Sequence, residues 1–298
     1  MERIISCPVC ENKNFKAFLN GKDHFLTGEE FTIVECSFCR FRFTNPRPDE
    51  NEIPRYYDSP DYIAHDAGKH NLIQTIYKII RKVTIRNKYS IVKKYSNGKV
   101  LLDIGCGTGE FLDYCLKMNF DTTGIEPNEK ARRFAIEELG LTIFDESKLD
   151  DFFPATFDVI TMWHVLEHVH KLNERMQRIN QLLKPNGTLI IAVPDSDSWD
   201  AGKYKDFWAA YDLPRHLYHF TQDSFKKLAN KNGFSIDAII PLKFDSFYIS
   251  LLSEKYLSGK QNYFNAFASG IRSNIYGRKN ENNYSSLIYI CKIVQDSI

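Results

Sequence analysis

The densest chemistry in the chain lies in Asp103-Ile104-Gly105-Cys106-Gly107-Thr108-Gly109-Glu110-Phe111, where three glycines alternate directly behind the apolar run Val100-Leu101-Leu102. Glycines at that spacing let a chain turn tightly and bring its backbone against a ligand. A helix opening just beyond them offers unpaired N–H groups to an anion, and Asp103 is placed to pair with a ligand ammonium group. A second acid follows in Gly124-Ile125-Glu126-Pro127, 23 residues beyond Asp103. At the end of a second strand that carboxylate can accept both hydroxyls of a ribose, and two bonds to one carboxylate are strong and directional. Two rival loops fit less well. A dinucleotide fingerprint wants a small residue where Glu110 stands, and a phosphate-binding P-loop wants Gly-Lys-Ser/Thr, which is absent. A bare doubly wound fold using its glycines only for turns would leave Glu126 without a task.

Cys7-Pro8-Val9-Cys10 and Cys36-Ser37-Phe38-Cys39 are two Cys-x-x-Cys knuckles separated by 25 residues. Four thiolates complete a tetrahedral zinc site with no open position, which makes it structural. Two disulfides or redox pairs suit a cytoplasmic chain poorly and would leave so short a segment little core. Zinc is then a folding requirement. Cys106, Cys115 and Cys291 read as core thiols.

Histidines concentrate in two places. Trp163-His164-Val165-Leu166-Glu167-His168 follows a fourth strand, and in a helix positions 164, 167 and 168 would share a face. Asp212-Leu213-Pro214-Arg215-His216-Leu217-Tyr218-His219-Phe220-Thr221 follows a fifth. His164, His216 and His219 are candidate catalytic bases, with packing as the competing role for His216 and His219.

Apolar spacing supplies the elements that must hold these groups. Residues 69–96 read as a helix carrying Leu72, Ile76, Ile79, Ile80 and Val83 at three- and four-residue intervals. From Lys99 the rhythm becomes strand, glycine-rich turn, helix, with strands expected at 100–104, 122–125, 141–144, 157–162 and 188–193. Helices are expected at 111–118, 128–139 and 172–183, the last stopped by Lys184-Pro185-Asn186-Gly187. A helix capped by Thr221 ends at Gly233, and two late strands at 234–240 and 285–293 enclose a mixed segment of about forty residues. Such alternation predicts an α/β fold with a largely parallel, doubly wound sheet. The expected division is a zinc ribbon at 1–45, a connector and basic helix capping the site at 46–98, and an α/β domain at 99–298. Substrate loops are expected at about 195–220 and 244–284.

Residues 100–193 resemble the class I S-adenosylmethionine-dependent methyltransferases, particularly their small-molecule branch. The resemblance implies a Rossmann-like seven-stranded sheet whose last strand runs antiparallel. The methionine carboxylate would lie at the helix after Gly109, its ammonium at Asp103 and the ribose at Glu126. Gly105, Cys106, Gly107, Phe111, Pro127 and Trp163 would line the cofactor, and Ser147 would approach the adenine within residues 145–149. Related ubiquinone-type O-methyltransferases bind a divalent metal through Glu-x-x-Glu-His. Here His164 stands in place of the first Glu, which removes a hard oxygen ligand. Segments similar to residues 212–221 supply a base in sugar C-methyltransferases, with His216 at the matching position and Arg215 where those enzymes carry an acid. A zinc ribbon ahead of this domain resembles both sugar or natural-product methyltransferases and certain ribosomal RNA methyltransferases. The connector Phe41-Arg42-Phe43-Thr44-Asn45-Pro46-Arg47-Pro48 is closer to the first group.

The totals suit an ordinary globular protein of 298 residues, 43% hydrophobic, 26% charged and with a net charge of +1. That balance argues against nucleic acid as a partner. Residues 69–99 nevertheless hold nine Lys or Arg and no acid, including Lys78, Arg81, Lys82, Arg86, Lys88, Lys93 and Lys94. A solvated face is the plain reading; an anionic small molecule, RNA or a membrane surface are the others. No apolar run is long enough to span a bilayer, and the N-terminus lacks a signal-peptide core. A cytoplasmic S-adenosylmethionine-dependent methyltransferase acting on O or C of a small polar metabolite, such as a sugar or nucleotide-sugar, is expected. An RNA methyltransferase and a non-catalytic binding protein are the alternatives.

Overall fold

The computed structural model describes residues 1–57 and 72–294, with the side chains of its first long helix described from Ile80 onward. In chain order it contains β1 (Phe15–Lys22), β2 (Glu30–Cys36), β3 (Arg42–Thr44), α1 (Leu72–Tyr95), β4 (Val100–Ile104), α2 (Glu110–Lys117), β5 (Asp121–Ile125) and α3 (Glu129–Glu137). It continues with β6 (Ile143–Phe144), β7 (Phe157–Trp163), α4 (Leu172–Leu182), β8 (Leu183–Pro194), α5 (Trp199–Tyr204), β9 (Tyr218–His219) and α6 (Gln222–Lys231). β10 (Phe234–Pro241), α7 (Asp245–Ser258), α8 (Tyr263–Lys279) and β11 (Ser286–Ile293) complete it.

Seven strands form one sheet in the order β10-β11-β8-β7-β4-β5-β6. β4, β5, β6, β7 and β8 pair in parallel, while β11 is antiparallel to both β8 and β10. β4 and β7 are near-continuous apolar runs because helices cover both faces of the sheet. Strand order reverses between β4 and β7, and in open α/β sheets ligands bind beyond the strand ends at that switch point. The glycine loop leaves β4 and the Trp163–His168 segment leaves β7 at this place.

A second sheet has the order β1-β2-β3-β9. Its last strand comes from the segment after β8: Arg42 pairs with His219 and Phe43 with Tyr218. The cysteines and Phe41 and Phe43 share one apolar cluster with Tyr218, Phe220 and Phe225 and with the sheet residues Leu189, Leu287 and Tyr289.

Several elements differ from their expected form. The third parallel strand shortens to Ile143–Phe144, with Leu141 buried ahead of it beside Gly109. Lys184-Pro185-Asn186-Gly187 does not merely stop α4: β8 begins at Leu183, pairs with Phe157, slips register across that stretch, and resumes with Thr188 opposite Val159. The mixed segment before β11 is two helices, α7 and α8, separated by Gly259 in the left-handed conformation. Of the stripe expected on α1, Ile80 and Val83 are exposed, while the Leu72, Ile76, Ile79 and Lys78 side chains lie outside the described residues. Burial begins lower on that helix, where Val92 is fully covered and Tyr89 packs edge-on against Tyr114 and Phe120. Among the described residues no helix is long and apolar enough to cross a membrane.

Candidate functional site

Gly105, Gly107 and Gly109 all have positive φ, at 73°, 56° and 79°. A Cβ at Gly105 would strike Val165 and one at Gly109 would strike Leu141, so both are bound by packing as well as by backbone shape. Gly107 differs, because nothing lies within 4 Å of where its Cβ would be. Its left-handed backbone faces open space, as a main chain lying along a ligand must.

Glu126 is buried at the end of β5. Its Oε2 accepts the Gly107 N–H at 2.7 Å and its Oε1 the Asn128 N–H at 2.9 Å. The carboxylate therefore ties the glycine loop to the turn after β5. A carboxylate offers about four lone-pair sites, so each oxygen keeps one for a further donor. Burial pushes its pKa up, against the pull of those two backbone donors. Arg132 braces the same turn, donating to the Glu126 and Pro127 carbonyls and pairing with Asp145 at 3.1 Å. Asp145 in turn accepts the Ser147 N–H. Ser147 and Pro127 are solvent-exposed.

Asp103 is 2% exposed and accepts the Thr161 hydroxyl at 2.6 Å. Burial raises its pKa to about 7, despite the Thr161 hydrogen bond and the Lys88 cation. Lys88 projects from α1 with its Nζ 4.7 Å from the Trp163 ring centroid, and Phe111 meets that ring edge-on at 5.6 Å. Trp163 Nε1 is buried without a hydrogen-bond partner. The basic helix is expected to cap the site with its cations on a solvated face, and Lys88 departs from that face by reaching Trp163, four residues ahead of the buried Val92. A testable consequence follows from Asp103. If its ionised form holds the ligand ammonium, protonation on going below pH 7 removes the partner. Cofactor affinity measured calorimetrically is expected to fall up to about tenfold per pH unit below that value, and to level off above it.

The histidine cluster is arranged differently from a single helical face. His164 has φ +57° and Leu166–His168 is only a short 3-10 turn, so positions 164 and 168 turn to different neighbours. His164 Nε2 pairs with Asp245 of α7 at 2.9 Å, and its Nδ1 lies 3.4 Å from Glu167. Burial alone would lower its pKa, but the two carboxylates outweigh it and raise it to about 10. It is an imidazolium near neutral pH and a poor base. His168 instead faces Tyr57, the Arg215 carbonyl and the His216 ring, whose centroid is 4.6 Å away.

His219 is buried in β9, with Nε2 3.1 Å from Thr44 Oγ1 and its ring edge-on to Tyr211. Burial drives its pKa well down. These contacts place it with the ribbon sheet rather than the glycine loop. His216 donates Nδ1–H to the Ala210 carbonyl at 2.8 Å, and its Nε2 lies 4.0 Å from an Asp212 oxygen. Arg215, next to it, is a structural tie: it meets both Asp212 oxygens, Asp23 at 2.9 Å and the Tyr56 carbonyl. Asp245 escapes sequence reasoning because it belongs to no spaced motif, and Lys88 is legible there only as one of several cations on a basic helix.

The two cysteine knuckles close alike. Glu11 and Arg40, each after the second cysteine, have φ +64° and donate to the carbonyls of Cys7 and Cys36. Cys7 and Cys36 N–H groups donate to the carbonyls of Asn12 and Phe41 at 2.8 and 2.9 Å. All four sulfurs lie within 4.8 Å of one another, with Cys7–Cys39 at 3.4 Å and Cys10–Cys36 at 3.5 Å. Tetrahedral zinc with sulfurs at about 2.3 Å separates them by roughly 3.8 Å, so the donor set fits that ion, and all are free thiols.

A family model of the methyltransferase domain matches residues 77–239, more than half of the chain. The ubiquinone biosynthesis O-methyltransferase of Actinobacillus pleuropneumoniae is 38% identical over 108 residues, covering 32% of this chain and 46% of that one. Its counterpart in Nitrosococcus oceani is 31% identical over 157 residues, covering 49% and 62%. The chain thus spans about half the length of the curated relatives it matches. Magnesium protoporphyrin IX methyltransferase from Synechocystis PCC 6803, solved with bound SAH, superposes with a TM-score of 0.54 at 15% identity, over 83% of this chain and 100% of that one. With its glycine loop at the switch point of a seven-stranded sheet and a family match over most of that sheet, the chain belongs to the class I S-adenosylmethionine-dependent methyltransferases.

Proposed function

We propose that the chain is an enzyme that moves a methyl group from S-adenosylmethionine to oxygen or carbon of a small polar metabolite, of which a sugar or nucleotide-sugar is the leading class. The observation that carries it is the pairing of Gly107, open to space, with Glu126, buried and retaining free lone pairs between two ligand-facing turns. Asp103 would hold the ammonium group, and Trp163 and Phe111 would wall the methyl-bearing side. The relatives named above are O-methyltransferases, which favours oxygen as the acceptor atom. The enzyme chiefly holds acceptor and methyl in line and excludes water. Of the three candidate histidines, His216 would act on an acceptor hydroxyl through Nε2, which no short hydrogen bond occupies, whereas His219 lies within the ribbon sheet. The four-cysteine cluster would hold structural zinc in a cytoplasmic, reducing setting.

Incubation with methyl-labelled S-adenosylmethionine and a panel of hydroxylated metabolites, nucleotide-sugars included, is expected to label a small-molecule product. Label recovered only in added RNA, or in nothing, would contradict the acceptor class.

A further inference from the structure

A surface helix ordinarily turns its large apolar side chains inward, and α8 does the reverse. Its buried residues are Ala266, Ser269, Gly270, Ser273 and Gly277. Phe264 is 82% exposed, Phe267 60%, Ile275 52% and Ile271 39%. The inward face has no room for larger groups: a Cβ at Gly270 would strike Phe247 of α7, and one at Gly277 would strike Tyr284. Close packing on small residues therefore fixes how α8 is turned, and it leaves the apolar side chains outside the chain's own core. A contiguous apolar surface of this kind marks an interaction site.

The shape of the stripe says what covers it. At 3.6 residues per turn, Phe264, Phe267, Ile271, Ile275 and Arg278 fall within an arc of about 80°, roughly opposite the buried face. So narrow a stripe, at three- and four-residue spacing, is the form of a seam between two helices. Arg272 and Lys279 lie to one side of it, exposed to water.

The stripe also complements its own reversal, as a two-fold contact requires. Turning a second α8 end for end about Ile271 sets Phe267 against Ile275 and Phe264 against Arg278. The second of these pairs a ring face with a guanidinium, a cation–π contact. Lys260 and Glu281 lie eleven residues before and ten residues after Ile271. Both are exposed, and neither forms an ion pair among the described residues. On reversal each meets the opposite charge of the other copy, once at either end of the seam.

We propose that α8 packs antiparallel against α8 of a second copy of this chain, about a two-fold axis at Ile271, so that the chain forms a homodimer. Each α8 is backed by its own α7 through Phe247 and Phe267, whose ring centroids are 5.5 Å apart, so four helices meet at the contact. α7 also carries Asp245, which holds His164 at 2.9 Å, so the second copy braces the helix that reaches the site. A seam about 25 Å long is at the small end of specific interfaces, which puts the affinity in the micromolar range. The pairing does not depend on which acceptor is methylated.

Sedimentation velocity of the full chain across the micromolar range is expected to show a monomer–dimer equilibrium. Ile271→Asp should weaken dimerisation at least about a hundredfold, because two carboxylates would meet on the axis, with circular dichroism confirming the fold. Lys260→Glu and Glu281→Lys should each weaken it about threefold or more. An equimolar mixture of those two variants should dimerise as well as the unaltered chain, since every end contact in the mixed dimer joins opposite charges. A chain that stays monomeric throughout, or a dimer that survives Ile271→Asp, overturns the proposal. Failure of the mixture to recover overturns the antiparallel pairing about Ile271. A monomer that instead binds phosphatidylglycerol vesicles, and loses that binding in Ile271→Asp, would assign the face to a lipid surface and equally overturn it.

Discussion

If the cysteine cluster holds the proposed zinc, removing it with a chelator, or making Cys39→Ser, is expected to lower the melting temperature of the whole chain in one transition. The reason lies in how the ribbon is built into the fold. β3 hydrogen-bonds to β9, and Phe41 and Phe43 pack with Tyr218 and Phe220 in the cluster that runs on to the main sheet. The knuckles themselves have little local core apart from that cluster, so the proposed zinc would be what closes the ends of β1, β2 and β3. Structural zinc contributes on the order of 10–16 kcal/mol in isolated fingers, comparable to the whole stability of a typical domain, about 5–15 kcal/mol. Part of that loss should therefore reach residues 218–220 and the segment that carries His216. Calorimetry and limited proteolysis check this. A separate low-temperature transition confined to residues 1–45, with the main melt unmoved, would show that the ribbon is energetically independent.

Arg215→Ala should destabilise the chain by about 3–5 kcal/mol, the usual consequence of removing one partner from a buried ion pair. Arg215 is 2% exposed and Asp23 1%, and their side chains meet at 2.9 Å. The same guanidinium holds Asp212 through both oxygens and sits over the Phe25 ring. Truncation leaves a buried Asp23 carboxylate whose remaining donors are the backbone and hydroxyl groups of the 25–27 turn. Arg215→Lys should recover little, since an ammonium cannot reproduce the forked contacts. Urea midpoints measure both, and a loss below about 1 kcal/mol for Arg215→Ala would mean the pair is merely offset by its desolvation. The pair also carries a pH dependence. Burial pushes the Asp23 carboxyl up, but Arg215 and Thr27 outweigh it and hold it below the ordinary range. Its stabilising contribution is thus present above the unfolded carboxyl pKa of about 3.9 and disappears as pH falls through the lower folded value.

What the sequence made legible is what short spacing encodes. The glycine loop, Glu126 and the cysteine knuckles each depend on residues a few positions apart, and they occupy the places their spacing implies. The parallel strands could be read because both faces are buried, which makes β4, β7 and the 189–193 part of β8 near-continuous apolar runs. The candidate histidines were harder. His164 was expected on a helical face with Glu167 and His168, but its left-handed backbone turns it to Asp245, eighty-one residues away in sequence. His219 has the appearance of a catalytic residue in a motif, yet its ring serves the pairing of β9 with β3. Such roles depend on contacts between distant segments, and no local pattern records them. The α7–α8 pair was hidden for another reason. Its buried residues include Ser246, Ser250, Ser253, Ser269 and Ser273 with Gly270 and Gly277, small side chains that allow close packing without an apolar periodicity to detect.

The central claim is that the loop at Gly107 and the carboxylate of Glu126 together hold S-adenosylmethionine. Calorimetric titration of S-adenosylmethionine into the zinc-loaded chain, repeated with Glu126→Ala, tests it most directly. Saturable binding of one molecule per chain is expected, weakened at least about tenfold, or 1.4 kcal/mol, in the variant, because both the ribose acceptor and the Gly107 anchor are lost. No saturable heat in the unaltered chain, or an affinity unchanged by Glu126→Ala, would contradict the account.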